Sequence, residues 1–342
     1  MNSTKIITFD YLRNNSLAHV KVSSAFKLEL KNKILNTYRT LSRYNREKLN
    51  INLHTLALEF RKNKYFKFDR LLRIIKDFNI YEEELYNEIL AFYTRGSKTS
   101  KELILNKELE IDEFFVEGYA LYLAEGDNGS NGKKIPRKVR LSNSKLAVHK
   151  HFMKWLRTYF PNNYFYIRVS VPNNECFDEK DLENIKQYLE LEHSQVKIKY
   201  TKTKWKNKII YKTCLDNALL IDLILLIEPT IKEFCSKDNK LAAAYIRGMM
   251  IGEGTAYFNK SRYVRIEMRN EKEIKYLHRL LTMLGFECKP VLRSNRHDMW
   301  SLYIGAKQLD KFAKEIGFGV HKERQQILEQ GVNKVLRVNQ YC

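Results

Sequence analysis

Apolar residues recur at helical spacing through 24–42, at Phe26, Leu28, Leu30, Ile34, Leu35, Tyr38 and Leu41, and this predicts a helix. Asn52 is placed to cap a helix over LHTLALEFRKN. In DRLLRIIKDF, Leu71, Leu72, Ile74, Ile75 and Phe78 share one side, and a further helix is predicted over about 81–94. Residues 1–22 show no clear period. Residues 95–110 are polar and interrupted and read as a connection. The region 1–111 is therefore expected to be all-α.

The pattern changes after residue 110. A helix over 112–124 leads to KVRLSN (138–143), which alternates, and then to a helix over 144–160. YFYIRVSV (164–171) alternates again, DLENIKQYLELE is helical, VKIKYTKTKW and NKIIYKTC read as a strand pair, and DNALLIDLILLI is a strongly apolar helix. A second cycle follows: a helix over 241–252, an alternating YVRIEMRN (263–270), a helix, the strands ECKPVLR and MWSLYIG, and two closing helices. This internal duplication predicts two α+β repeats, at 112–236 and 237–342.

The helix that opens each repeat has a peculiar end. GYALYLAEG (118–126) carries Ala120 and Ala124 at i and i+4, and IRGMMIGEG (246–254) carries Gly248 and Gly252 in the same places. Such residues share one helix face and let a partner helix approach closely. Glycine inside a helix costs about 1 kcal/mol relative to alanine, so Gly248 and Gly252 need a packing reason. Gly126 and Gly254 suit left-handed C-terminal caps. Glu125 and Glu253 stand at the negative end of each helix dipole, and close packing of the helices would make them repel each other. A bound divalent cation reverses both penalties. Two carboxylates with open water positions suit Mg²⁺, and paired ions can assist phosphodiester hydrolysis.

Composition narrows the partner. Of 342 residues, 61 are Lys or Arg and 40 are Asp or Glu, a net charge of +21, while 44% are hydrophobic. The chain can bury real cores, and it favours a polyanion. The longest apolar run, Ala218 to Ile227, is broken by Asp222 and is too short to span a membrane. MNSTKIITFDYL is not a secretory signal. Five widely spaced cysteines without a CxxC pair argue against a zinc site and for a reduced, cytoplasmic compartment. His149, His151 and His297 fit no metal-binding or HNH-like spacing and read as surface residues.

The predicted strands are half polar. Lys138, Arg140 and Ser142 oppose Val139 and Leu141, while Tyr164, Tyr166, Arg168 and Ser170 oppose an apolar set. Tyr263, Arg265, Glu267 and Arg269 oppose Val264, Ile266 and Met268. A hairpin over 197–208 is dense in lysine, Lys202 and Lys204 included, and Arg293 ends another strand. Faces of this kind can read base edges and phosphates.

The segments GYALYLAEG and RGMMIGEG resemble the paired LAGLIDADG motifs of homing endonucleases in their two-repeat, single-chain form. The second is the closer match, because Ala120 stands where the family usually has glycine. The resemblance covers about 112–335. It implies two αββαββα-type halves related by a pseudo-dyad, whose antiparallel sheets form a saddle on double-stranded DNA. Glu125 and Glu253 would hold two or three Mg²⁺ ions and activate water in a monomeric, site-specific endonuclease. Asp127 would substitute only if the register slipped by two. The resemblance also implies auxiliary polar residues near the metals. Arg140 and Glu267 would face the centre from the ends of the second strands, Lys322 resembles the lysine after the last helix of a repeat, and Lys240 is its looser counterpart. Residence in a mobile intron is implied as well; the Met start, without a splice-junction Cys or Ser, disfavours an active intein.

INLHTLALEFRKNKYFKFDRLLRIIKDFNI (51–80) resembles the second half of a helix-turn-helix unit. Leu53 to Asn63 would be the recognition helix, with His54, Glu59, Arg61 and Lys62 near DNA. A small helical bundle packed on the repeats is the alternative. Two rival functions remain: a transcription regulator that keeps the fold without cutting, and a maturase that binds host intron RNA through its basic outer faces.

Overall fold

The computed structural model describes residues 4–94, 101–127, 138–173, 177–201, 208–259, 261–294 and 298–339. The chain opens with strand β1 (Thr4–Ile7), helix α1 (Thr8–Arg13), strand β2 (Ala18–Val22), helix α2 (Ser24–Tyr38) and helix α3 (Leu41–Tyr44). α3 runs on through a π-helical turn over Asn45–Leu49. Helix α4 (Leu53–Glu59), strand β3 (Phe66–Lys67), helices α5 (Phe68–Asp77) and α6 (Glu82–Glu88), and strands β4 (Ile89–Thr94) and β5 (Glu108–Ile111) follow.

The N-terminal region is therefore mixed, not all-α. β2 pairs between β3 and β4, and β1 pairs with β5. The helix expected over 81–94 stops at Glu88, where Ile89 to Thr94 turn extended against β2 and bury Ala91, Phe92 and Thr94. A pairing partner some 70 residues away overrides local helical spacing here. The connection over 95–110 likewise ends as a strand on the chain's first residues. Asn52 does cap α4, accepting from the amides of His54 and Thr55. Glu59 does not face outward: it is buried and paired with Arg70.

The first repeat runs through helix α7 (Glu113–Glu125), strand β6 (Val139–Asn143), helix α8 (Leu146–Tyr159), strand β7 (Phe165–Pro172), helix α9 (Glu179–Leu189), strands β8 (Val196–Thr201) and β9 (Ile210–Leu215), and helix α10 (Ala218–Cys235). The second comprises helix α11 (Asn239–Glu253), strands β10 (Gly254–Phe258) and β11 (Arg262–Met268), helix α12 (Glu271–Met283), strands β12 (Val291–Leu292) and β13 (Trp300–Gly305), and helices α13 (Leu309–Glu315) and α14 (Lys322–Asn339). Asp112 caps α7 and Asp238 caps α11, each accepting from first-turn amides. The chain is α+β, and among its described residues no helix is long and apolar enough to cross a membrane.

The two main sheets have the orders β6-β9-β7-β8 and β10-β11-β13-β12. Gly254 pairs with Ile266, and Gly126 pairs with Leu141 as an isolated bridge, so the glycine after each acid has the same register against the strand that follows. The expected strand pair of 196–201 and 210–215 does not form. β9 lies between β6 and β7, while β8 runs parallel to the far edge of β7. Parallel neighbours need a crossover, and α9 supplies it, with a capping box at Asp178 and Asp181 and with Ile185 and Leu189 buried. The first sheet is thus mixed rather than antiparallel, and it carries an extra edge strand.

Among the described residues, α7 and α11 pack on each other more extensively than any other pair of elements. The interface also holds ionic groups. Glu117 is buried on α7, with Arg247 Nη1 of α11 at 2.9 Å and His151 Nε2 of α8 at 3.0 Å. Burial opposes its charge, but His151 and Arg247 together hold its carboxyl below the usual range. Arg247 also donates to the carbonyl of Ile316 at 2.7 Å. Arg247→Met should lower unfolding free energy by about 3 kcal/mol, because it strands a buried carboxylate. Urea denaturation measures this, and a loss under ~1 kcal/mol would show that His151 and water suffice.

Candidate active site and nucleic-acid face

The crossing of α7 and α11 depends on missing side chains. A Cβ on Gly248 would lie 2.2 Å from the Glu117 carbonyl oxygen and 2.8 Å from Ala120 Cβ. One on Gly252 would lie 2.6 Å from Ala124 Cβ and 3.0 Å from Glu125 Cγ. The small-residue faces therefore meet as the sequence predicts, and they carry Glu125 and Glu253 to adjoining helix ends.

The glycines after the acids act differently from the prediction. Neither is left-handed: Gly126 has φ −74 and ψ 143, and Gly254 has φ −72 and ψ 155. Each chain leaves its helix at once into a strand position. A Cβ would then lie 2.1 Å from the Tyr122 carbonyl oxygen at Gly126, or 2.5 Å from that of Met250 at Gly254. Close approach to the preceding turn, rather than positive φ, excludes a side chain there.

Burial raises the Glu125 carboxyl to about 7, and the neighbouring charge of Glu253 adds to this. The Arg324 guanidinium and the Asn143 amide, which donates to Glu125 Oε1 at 3.0 Å, pull the other way. Glu253 is raised as well, chiefly by burial, against the pull of Arg324. Arg324 is the residue of the candidate site that sequence reading missed. Its Nη1 donates to the carbonyls of Met250, Ile251 and Gly252 at 3.0, 2.8 and 2.9 Å, so it neutralises the C-terminal end of α11 between the two acids. Lys322, the residue expected in this role, is exposed two positions earlier. Lys240 lies at the other end of α11, about 20 Å along the helix from Glu253 at 1.5 Å per residue. Its ammonium is 4.0 Å from Glu113, so it is not part of the site.

Among the described residues no group of three or more His, Cys, Asp or Glu could hold a metal. The candidate donors are the pair Glu125 and Glu253. Two hard oxygen donors, one disfavoured as an anion by burial and by its neighbour, fit a divalent ion completed by water and phosphate oxygens.

Arg140 and Glu267 are not equivalent, contrary to expectation. The register from Gly126–Leu141 and Gly254–Ile266 makes Arg140 the counterpart of Arg265. Arg140 lies 3.1 Å from Asp127, and Arg265 lies 3.0 Å from Glu267. Burial would raise the Glu267 carboxyl, but Arg293 and Ser301, with Arg265, hold it low. Arg269 is exposed just past the end of β11. Lys138 pairs with Asp216 at 2.9 Å, and the buried Tyr166 directs its hydroxyl to the same carboxylate at 3.4 Å. Lys202 and Lys204, like His297, lie outside the described residues. His149 and His151 are not surface residues. His149 is buried between Thr213 and the Asn143 carbonyl, and burial lowers its imidazole to about 4.

The sheet pairing reveals a row that no single strand shows. Ser142, Lys212, Arg168 and Lys197 are register neighbours across β6, β9, β7 and β8, on the face opposite the apolar set. Like charges directly opposite one another destabilise a sheet, so three cations in one row point to an anionic partner. The second sheet differs. There Tyr257 stacks on Tyr263 at 5.1 Å, and Tyr303 meets Tyr263 edge-on at 5.5 Å.

Residues 240–317 match the family model described as LAGLIDADG-like domain. No curated protein sequence matches the chain. Among solved structures, the chain is similar to I-DmoI in complex with DNA and Mn, at 14% identity over 61% of this chain and 99% of that one, with a TM-score of 0.38. It is similar to the homing endonuclease I-WcaI bound to its DNA recognition sequence, at 11% identity over 64% and 86%, with a TM-score of 0.40. It is also similar to the N-terminal LAGLIDADG domain of DUF199/WhiA, at 16% identity over 60% and 83%, with a TM-score of 0.37.

Proposed function

We propose, from the LAGLIDADG-like domain at 240–317 and the matching repeat before it, that the chain is a divalent-metal-dependent, site-specific endonuclease of double-stranded DNA. The observation that carries this reading is the meeting of Glu125 and Glu253 at the adjoining ends of α7 and α11. Both carboxylates would hold the metal; when bound, it acidifies water and stabilises the attacking and leaving oxygens of a phosphodiester. Asn143 orients Glu125, and Arg324 fixes the end of α11 and adds positive charge where phosphate arrives. Water adds to phosphorus, one P–O ester bond breaks, and a hydroxyl leaves on each strand. The cations of the first sheet and the arginines and tyrosines of the second hold the duplex around this centre. Mg²⁺ is the ion the donor set suits, and one chain supplies both halves of the site.

A cleavage selection tests this reading. Purified protein with Mg²⁺ should cut a small set of duplexes from a randomised library, and Glu125→Gln should cut none. Binding without cutting in both Mg²⁺ and Mn²⁺ would favour the regulator reading. Arg324 supports that rival, because it offers the two acids a protein cation. Preference for structured intron RNA over duplex would favour the maturase.

The charged row gives a separate expectation. Replacing Lys212, Arg168 and Lys197 together by alanine should reduce the slope of log K against log salt by about 2 to 3, at roughly 0.9 for each phosphate no longer neutralised. The fold should not weaken, because like-charge repulsion is relieved. An unchanged salt slope in a binding titration would remove this face from the interface.

A further inference from the structure

The N-terminal region presents a second, separate surface. α3 with its π turn and α4 are joined by three residues, 50–52. Asn50 sits in the left-handed region at φ 49 and ψ 52, which asparagine tolerates where most residues do not. Asn45 closes the turn in both directions: its amide donates to the Ile51 carbonyl at 2.7 Å, and its oxygen accepts from the Ile51 amide at 3.2 Å. The inner side of this pair is core, with Tyr44, Leu49 and Leu56 buried and the Tyr44 hydroxyl on Asp77. From below, the buried ammonium of Lys27 donates to the carbonyls of Glu59 and Arg61, at 3.0 and 3.1 Å, and of Lys64. The segment leaving α4 is thus fixed as firmly as the turn that enters it.

The outer side is bare. Leu53 and His54 at the start of α4 are exposed, as are Arg46 and Lys48 before it and Arg61, Lys62 and Lys64 after it. Among the described residues, side-chain hydrogen bonds between the N-terminal region and α10 and its neighbours join Tyr11 to Thr230 and Asn15 to Asp222, the Asn217 amide donates to the Lys101 carbonyl, and the Ile104 amide donates to the Asn163 side chain. None comes from 40–64, so the repeats do not cover this face through such bonds.

We infer that residues 41–59 form a helix-turn-helix whose α4 enters the major groove of duplex DNA, as a second DNA-reading surface apart from the sheets. A helical segment over 41–49 and the helix α4 joined by a three-residue turn, with α4 exposed at its start, have the connectivity of that motif. This assignment moves the motif's turn to 50–52, ahead of α4. A helix fits the major groove, Leu53 can meet a thymine methyl, and His54 can hydrogen-bond a base edge. The five flanking cations supply phosphate contacts. Because the surface is tethered to the sheets, its binding adds through effective concentration.

The inference rests on duplex DNA being the chain's partner, but it can fail independently of the nuclease reading. Full-length protein carrying Glu125→Gln is used to select bound duplexes from a randomised library. A short conserved block of about four to six base pairs is expected, set apart from any longer block read by the sheets. Replacing Leu53 and His54 by alanine should erase the short block and weaken binding to the selected duplex about tenfold, while Arg168→Ala should alter only the longer one. Both α4 residues are solvent-exposed, so the melting temperature should hold. Arg61→Gln with Lys62→Gln provides a second variant, expected to lower the salt slope by about 2. Absence of a short block, or a short block indifferent to the α4 changes, overturns the inference. A short block that persists when the longer one is missing upholds it and counts against the sheets instead.

Discussion

Glutamine at position 125 is expected to abolish strand cleavage and to make the metal-free protein more stable. Burial and the charge of Glu253 raise the Glu125 carboxyl from 4.5 to about 7. The folded state therefore holds a proton more tightly than the unfolded chain does. Wild-type stability should decline as pH rises from about 4.5 through about 7, because the native carboxylate must ionise in an unfavourable place. A neutral glutamine escapes that decline. At pH 7.5 the gain should be about 1 to 2 kcal/mol, which is roughly half the full linkage value because the site is partly solvated. It should vanish below pH 4.5, the ordinary value. Differential scanning fluorimetry across pH, with and without Mg²⁺, measures it. Mg²⁺ should raise the wild-type melting temperature and leave the variant unmoved. A destabilised Glu125→Gln at pH 7.5 would mean that the carboxylate is held by partners rather than penalised. Cleavage should fall by about a thousandfold, as when a centre loses a principal electrostatic element.

Gly248→Ala is expected to invert the usual rule for helices. Alanine normally stabilises a helix interior by about 1 kcal/mol over glycine. Here the added methyl would lie 2.2 Å from one backbone oxygen and 2.9 Å from the Leu121 amide nitrogen. Neither atom can move without shifting α7. The cost should be about 3 kcal/mol, at the upper end of overpacking penalties. Cleavage should drop further than stability, because the two acids are set apart. Gly305→Ala is the control: nothing lies within 4 Å of its Cβ, so its effect should stay within about 0.5 kcal/mol. Urea denaturation of both variants decides the matter, and equal effects would show that the helices do not rely on close approach at Gly248.

The sequence determined what depends on neighbours along the chain. The acid at each helix end, the small residues at i and i+4, the Asn52 cap and the alternation within β6, β7 and β11 are local patterns, because helix and strand periods are local. With the charge of +21 they single out Glu125, Glu253 and a cationic sheet face as candidates. The tertiary structure decided whatever needed a distant partner. Ile89 to Thr94 became a strand because β2 offered an open edge. β8 joined β7 rather than β9 because α9 brought it round to the parallel edge. Arg324, not Lys322, reached the acids because α14 meets α11 across some 70 residues of chain. Arg140 proved the counterpart of Arg265 only through strand register, and Glu59 turned inward to Arg70. A side chain's type and spacing show which face it occupies, but which atoms it meets there is set by elements that sequence spacing does not connect.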